Sequence, residues 1–282
     1  MAPRRRYRAR RLRSPYWRPG FDYVDFIVSK VKKVVENGDV LVISEKAIST
    51  ASGNIIDESF FKPSLTARFL ARFWMRVMWG YLLAPLCRLK PETIARLRNY
   101  PVEEGARHKE AALRVSGLLQ ALRAFSEGGL DVVNLPYSYA ALPLRNASKI
   151  ADHIRRIILE ETGKRVAVVI SDSDKTFSIG PIHLCSRPNP MKGLVGLGLL
   201  AYIIGASLRF KARATPVAAS GWTGSMDELL DICEVADRVR GYGAGRNIWE
   251  AARRFGVGLT SISWGLLGRI PHYPVVLVRR TR

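Results

Sequence analysis

The sequence predicts an α+β fold, a mixed sheet with helices packed against it, and three observations carry that prediction. Four short apolar runs, at 39–44, 165–171, 214–219 and 273–279, have the length and β-branched content of strands. Stretches of helical periodicity separate them, as in layered α and β architectures. Of the 282 residues 48% are hydrophobic. That is enough to bury a core in one large domain or two intertwined ones, and it excludes disorder for most of the chain.

In chain order, the first thirteen residues are dense in arginine, with Arg4, Arg5, Arg6, Arg8, Arg10, Arg11 and Arg13. They read as part of a solvated basic tail over 1–20 that binds nucleic acid weakly, leaving 21–282 as the folded domain. Asp22 is placed as a helix N-cap, and Val24, Ile27, Val28, Val31, Val34 and Val35 follow with helical spacing. Asn37 and Gly38 stop that helix and turn into the first strand. The strand ends in Ser44, Glu45 and Lys46, the lysine offering a point charge for a phosphate.

Residues 62–126 read as a helical insertion. Phe69, Phe73, Trp74, Trp79 and Tyr81 fall on a helical pattern, with Arg68, Arg72 and Arg76 every four residues. Three arginines would cost several kcal/mol at a bilayer centre, so the segment predicts a buried amphipathic helix or a subunit contact, not a membrane span. His108, between Arg107 and Lys109, invites a catalytic or phosphate-binding reading, and the solvated start of a further helix is the other one.

Asn146 is placed as the cap of a helix whose Ile150, Ile154, Ile157 and Ile158 face the core, and Gly163 ends it. The strand at 165–171 then runs into Asp172, Ser173 and Asp174. Two carboxylates at the mouth of a buried strand repel each other, and a hard divalent ion, magnesium or manganese, would relieve that repulsion. A solvated acidic turn is the other reading. Pro216 makes 214–219 an edge strand, and Ser225 with Glu228 forms a capping box that opens a helix ending at Arg240. Gly241, Gly243 and Gly245 lead to Arg246 and another helix, so exposed amides and an arginine make a phosphate cradle.

The net charge of +21 implies an anionic partner, and nucleic acid, a membrane surface or a phosphorylated small molecule would each satisfy it. Three scattered cysteines and four unclustered histidines argue against a zinc site and for a reducing, cytoplasmic location.

The segment Gly129-Leu-Asp131-Val-Val-Asn134, the helix from Asn146 to Thr162 and the strand ending in Asp172-Ser173 follow one another as in the coenzyme F420-0:L-glutamate ligase family, and the chain resembles an archaeal branch of it. The resemblance implies a GTP-dependent amide ligase that adds L-glutamate to an anionic, phosphate-bearing cofactor precursor through an acyl phosphate, working as a homodimer. It carries the metal ligands onto Asp131 and Asp172, and nucleotide contacts onto Asn134, Ser173 and Lys46; the cradle of Gly241, Gly243, Gly245 and Arg246 read above joins them as a nucleotide-binding candidate. Tyr242 stands where the family has a glutamine, and Thr50-Ala-Ser-Gly53 where it has Lys-Ala-Glu-Gly. These departures leave room for a different acceptor, or for a non-catalytic nucleotide- or nucleic-acid-binding paralogue.

Overall fold

The computed structural model describes residues 7–125 and 127–281. Its strands are β1 (Tyr7–Ser14), β2 (Val40–Ser44), β3 (Ile55–Asp57), β4 (Tyr139–Ala141), β5 (Ala167–Ile179), β6 (Ile182–Cys185), β7 (Val195–Gly196), β8 (Lys211–Ser220) and β9 (His272–Arg280). All four predicted runs are strands, and the mixed sheet with packed helices is the predicted α+β class. The chain divides into two compact units interleaved in sequence. The first holds residues up to 55, 132–173 and from 213 on; the second holds 56–131 and 174–212.

In the first unit the strand order is β1-β9-β2-β5, with β8 also paired to β5. β2 and β5 are parallel, in register from Val40 opposite Ala167 to Ser44 opposite Ser171. Val40 to Ile43 are buried on both faces, which is why a continuous apolar run forms an inner parallel strand. Ile27, Val31, Ile48, Ile154 and Ile158 from the flanking helices pack against Leu41, Ile43, Val168 and Ile170. Asp22 accepts the Asp25 N–H at 3.0 Å as the N-cap of helix Tyr23–Val31, which ends before Val34 and Val35. At the other end of the chain's order, Ser225 accepts the Glu228 N–H as the cap of helix Met226–Arg240. Asn146 occupies the N-cap position of helix Ala147–Thr162 without a side-chain hydrogen bond.

Two expectations are corrected here. The basic tail does not extend to residue 20: Tyr7–Ser14 is an edge strand antiparallel to β9, with Leu12 and Ser14 buried and Arg8, Arg10, Arg11 and Arg13 exposed. Arginines on its outer side protect an edge strand from further pairing, and Arg11 lies 4.1 Å over the Tyr273 ring. Arg4, Arg5 and Arg6 lie outside the described residues. Nor does the strand at 165 end in a turn at Asp172. β5 runs on to Ile179, because Thr176 and Ser178 have buried positions and Phe177 pairs with Leu184 across a hairpin closed by Gly180.

The second unit is mainly helical. Leu65–Phe69 continues into Leu70–Leu83, where the hydrogen bonding widens to π type, and Pro91–Arg98, Val102–Ser116, Leu118–Ala121 and Leu199–Ser207 complete it with β6 and β7. Met75, Trp79, Ala84 and Leu97 form one core cluster, and Leu70, Ala112 and Ala121 another. Among the described residues no helix is long and apolar enough to cross a membrane.

Candidate functional site

The register of β2 with β5 brings Ser44-Glu45-Lys46, where β2 ends, beside Ser171-Asp172, where the parallel pairing stops and β5 runs on. Open α/β sheets bind ligands at the edge where parallel strands end. Glu45 is buried and accepts the Leu144 N–H at 2.9 Å, fixing the first turn of helix Glu45–Ala51 on which half-buried Lys46 sits. Ser171 is buried, Asp172 half-buried and Ser173 exposed.

Arg240 reaches this edge, and the sequence reading passed over it. Its Nη2 donates to Ser171 Oγ at 3.4 Å, its Nη1 lies 3.9 Å from Asp237 Oδ1, and its buried Nε has no hydrogen-bond partner. Burial lowers its pKa, against the opposing fields of Asp237, Cys233 and Asp172. His272 lies in the same field. Burial pushes its pKa down to about 4 against a contact with the Pro15 carbonyl, and the charges of Arg240 and Lys46 push the same way. The imidazole is therefore neutral at pH 7. The edge thus gathers two cations, Arg240 and Lys46, with the carboxylates of Glu45, Asp172 and Asp237, donors suited to a phosphate or carboxylate beside acceptors suited to a hard cation. The signal available in the sequence was an arginine placed just before a glycine-rich loop.

That loop is pinned by Asn134. Its Oδ1 accepts the Ala244 N–H at 2.7 Å, its Nδ2 donates to the Tyr242 carbonyl at 3.1 Å, and its own carbonyl accepts the Tyr16 hydroxyl. Asn134 adopts φ 59°, a left-handed conformation that asparagine tolerates better than most residues. Gly243, at the same φ, passes so close that a Cβ there would sit 3.0 Å from Asn134 Oδ1. The structure thus brings Asn134 together with Gly243 and its loop neighbours Gly241 and Gly245. Arg246 is exposed, its guanidinium 4.6 Å over the Tyr242 ring, which is itself 58% exposed.

Asp131, half-buried, belongs to the second unit. Asp174 meets Arg123 at 2.9 Å with both side chains nearly buried, so that carboxylate has a cationic partner within the protein. Among the described residues no group of three or more His, Cys, Asp and Glu side chains could hold a metal ion. Magnesium asks for less, since it keeps several waters and uses one or two carboxylates beside substrate phosphates. A half-buried carboxylate such as Asp172 fits that donor set.

The second unit holds a separate cluster of charge. His108 is not a solvated helix start: it bridges Glu58 (Nδ1 to Oε1, 2.6 Å) and Glu127 (Nε2 to Oε2, 2.9 Å). Fully buried Lys109 donates to Glu127 Oε1 and to the Ala121 and Arg123 carbonyls at 2.6, 2.6 and 2.8 Å for Glu127, Arg123 and Ala121 in turn. Burial alone would lower the His108 pKa, but the two glutamates raise it to about 10. Burial would raise that of Glu127, while Lys109 and His108 hold it well below the usual carboxylate range.

Residues 11–184 match the F420-0:Gamma-glutamyl ligase family. An uncharacterized protein of Methanocaldococcus jannaschii is 33% identical over 96% of both chains. Two proteins named Coenzyme F420:L-glutamate ligase also match: one from Archaeoglobus fulgidus, 31% identical over 57% of each chain, and one from Methanocaldococcus jannaschii, 30% identical over 49% of each.

Proposed function

The chain belongs to the F420-0:Gamma-glutamyl ligase family, and from that premise we propose that it joins L-glutamate, through an amide bond, to coenzyme F420-0 or a similar phosphate-bearing precursor at the expense of GTP. In this reading the acceptor carboxylate attacks the γ-phosphate, and the glutamate amine displaces phosphate from the acyl phosphate. Asn134, Ser173, Lys46 and the loop of Gly241, Gly243, Gly245 and Arg246 are the proposed nucleotide contacts. Asp131 and Asp172 are the carboxylates proposed for magnesium or manganese, which when bound would neutralise charge on the phosphates. A homodimer, as the resemblance implies, is part of the proposal.

The observation that carries this reading is the Asn134 clamp on the glycine-rich loop, which follows directly on Arg240 at the strand edge. Preorganised amides and fixed cations are what phosphoryl transfer asks of a protein. A second reading, a paralogue that binds nucleotide without ligase chemistry, is favoured by Tyr242 at the family's glutamine position, since a phenol is a poor ligand for a hard ion at neutral pH. Mass spectrometry of the deazaflavin precursor, after incubation with GTP, magnesium or manganese and glutamate, separates the two. A mass gain of one glutamyl residue with GDP release is expected. GTP binding without any product would leave only the second reading, and hydrolysis that needs glutamate but not this precursor would point to another acceptor.

A further inference from the structure

The long helix of the second unit is apolar on two opposite sides. Ala67, Leu70, Ala71, Met75 and Trp79 are buried in the unit's core. On the other side Leu65, Phe69, Phe73, Val77, Tyr81 and Leu86 recur every four or five residues, and they are 43% to 87% exposed. A surface helix whose packing stopped at its own unit would show polar residues there. At about 150–250 Å² for a large side chain, these exposures leave roughly 600 Å² of apolar surface, the upper end for the largest patch on a monomer. The Phe69 and Phe73 rings stack at 5.2 Å within the stripe.

Cations border the stripe. Arg68 and Arg72 are exposed on the same side, and the Arg98 guanidinium lies 4.3 Å over the Tyr81 ring. Glu103, 3.9 Å from Arg68, is a rim carboxylate, and both side chains of that pair are more than half exposed. Such a pair is weak and screened by salt.

We propose that this face docks on an anionic lipid surface, with the stripe at the headgroup–acyl boundary and Arg68, Arg72 and Arg98 against lipid phosphates. Interfacial helices combine just these two features, an apolar face entering about 5–10 Å and basic residues meeting anionic headgroups. The same charges disfavour a second copy as occupant. A two-fold pairing centred on Phe73 would bring Arg72 toward its own mate in a drying interface, in a chain of net charge +21.

The test is co-sedimentation of the full chain at physiological salt with phosphatidylcholine vesicles and with vesicles in which phosphatidylglycerol replaces half of that lipid. Wild type is expected to prefer the anionic vesicles by roughly tenfold or more. Phe69→Ser/Phe73→Ser/Tyr81→Ser keeps every charge and should lose roughly tenfold in that partition, while Arg68→Gln/Arg72→Gln loses severalfold. A serine triple variant that stays folded yet binds as wild type would overturn the proposal, since basic charge elsewhere would then be responsible. Were the triple variant to misfold, an arginine double variant binding as wild type would overturn it equally. Light scattering on the free chain supplies the remaining outcome: no vesicle binding, and a dimer that the serine variant dissociates, would assign the face to a second copy.

Discussion

Two of the protein's charge groups, the His108 cluster and the surroundings of Arg240, are built on opposite terms. In the second unit, the contacts of His108 and Lys109 with Glu58, Glu127 and the Ala121 and Arg123 carbonyls are 2.9 Å or shorter. At the strand edge of the first unit, Arg240 reaches Ser171 only at 3.4 Å and Asp237 only at 3.9 Å, and its Nε is left over. A network closed on itself fixes a local structure and has no bonding capacity to offer a ligand. A buried guanidinium with a donor to spare has that capacity, and the desolvation it has already undergone strengthens any charge-assisted bond it makes.

If the closed network is structural, breaking it gives the largest effect on stability. Glu127→Gln leaves Lys109 and His108 buried without the carboxylate that faces both, and the expected cost is about 3–5 kcal/mol in urea or thermal unfolding. GTP affinity of the folded fraction should not change. A loss below about 1 kcal/mol would mean that the cluster is not closed in solution. The network also sets a pH dependence. The folded His108 pKa, about 10, lies above its ordinary value of 6.5, so its contribution is fully present below pH 6.5 and is lost as pH rises toward and through 10. Melting temperature should fall over that window, and His108→Gln should flatten the fall. An unchanged profile in the variant would remove His108 as its source.

For the open group the ranking reverses. Arg240→Met should weaken GTP binding by roughly ten- to a hundredfold in calorimetric titration, the range of one charge-assisted hydrogen bond, and leave the melting temperature unchanged or higher. Arg240→Met that melts much lower and binds GTP normally would make Arg240 structural and erase the contrast.

How legible this was in the sequence differs between the two groups. The strands, the N-cap at Ser225 and the glycine-rich loop rest on local pattern, and they appear where the pattern puts them apart from the extension of β5 to Ile179. The edge strand Tyr7–Ser14 was hidden because arginine dominated its composition, while the informative feature was inward Leu12 and Ser14 at a spacing of two. The His108 network could not be read, since its partners Glu58 and Glu127 lie 50 and 19 residues away and meet it only through tertiary packing. Arg240 was visible as a residue but not as a site. What marks it is a buried Nε without a hydrogen-bond partner, a product of tertiary packing that no local pattern encodes.

A smaller effect is expected at the loop clamp. Asn134→Ala removes two side-chain hydrogen bonds and puts alanine at φ 59°, so GTP binding should weaken by about 1–2 kcal/mol. Asn134→Gly relieves the backbone conformation while still losing both bonds. If glycine restores full affinity, the clamp acts only through backbone shape and not through the loop contacts.

The smallest effect belongs to Arg246, which sharpens the comparison because it differs from Arg240 chiefly in exposure. Its guanidinium sits in solvent over an exposed Tyr242 ring, and its backbone N–H is engaged by Glu250 at 2.9 Å whatever the side chain. A solvated cation gains little from meeting a phosphate, because it exchanges water for the ligand and is screened by salt. Arg246→Met should therefore weaken GTP binding by only about two- to fivefold, on the order of 0.5–1 kcal/mol, and that loss should shrink as ionic strength rises. The Arg240 deficit should persist at high salt, because its surroundings exclude the screening ions. Titrations of both variants across a salt series test the pair together. A larger and salt-resistant loss at Arg246 would place the nucleotide over the loop's outer face and leave the buried arginine without a ligand role.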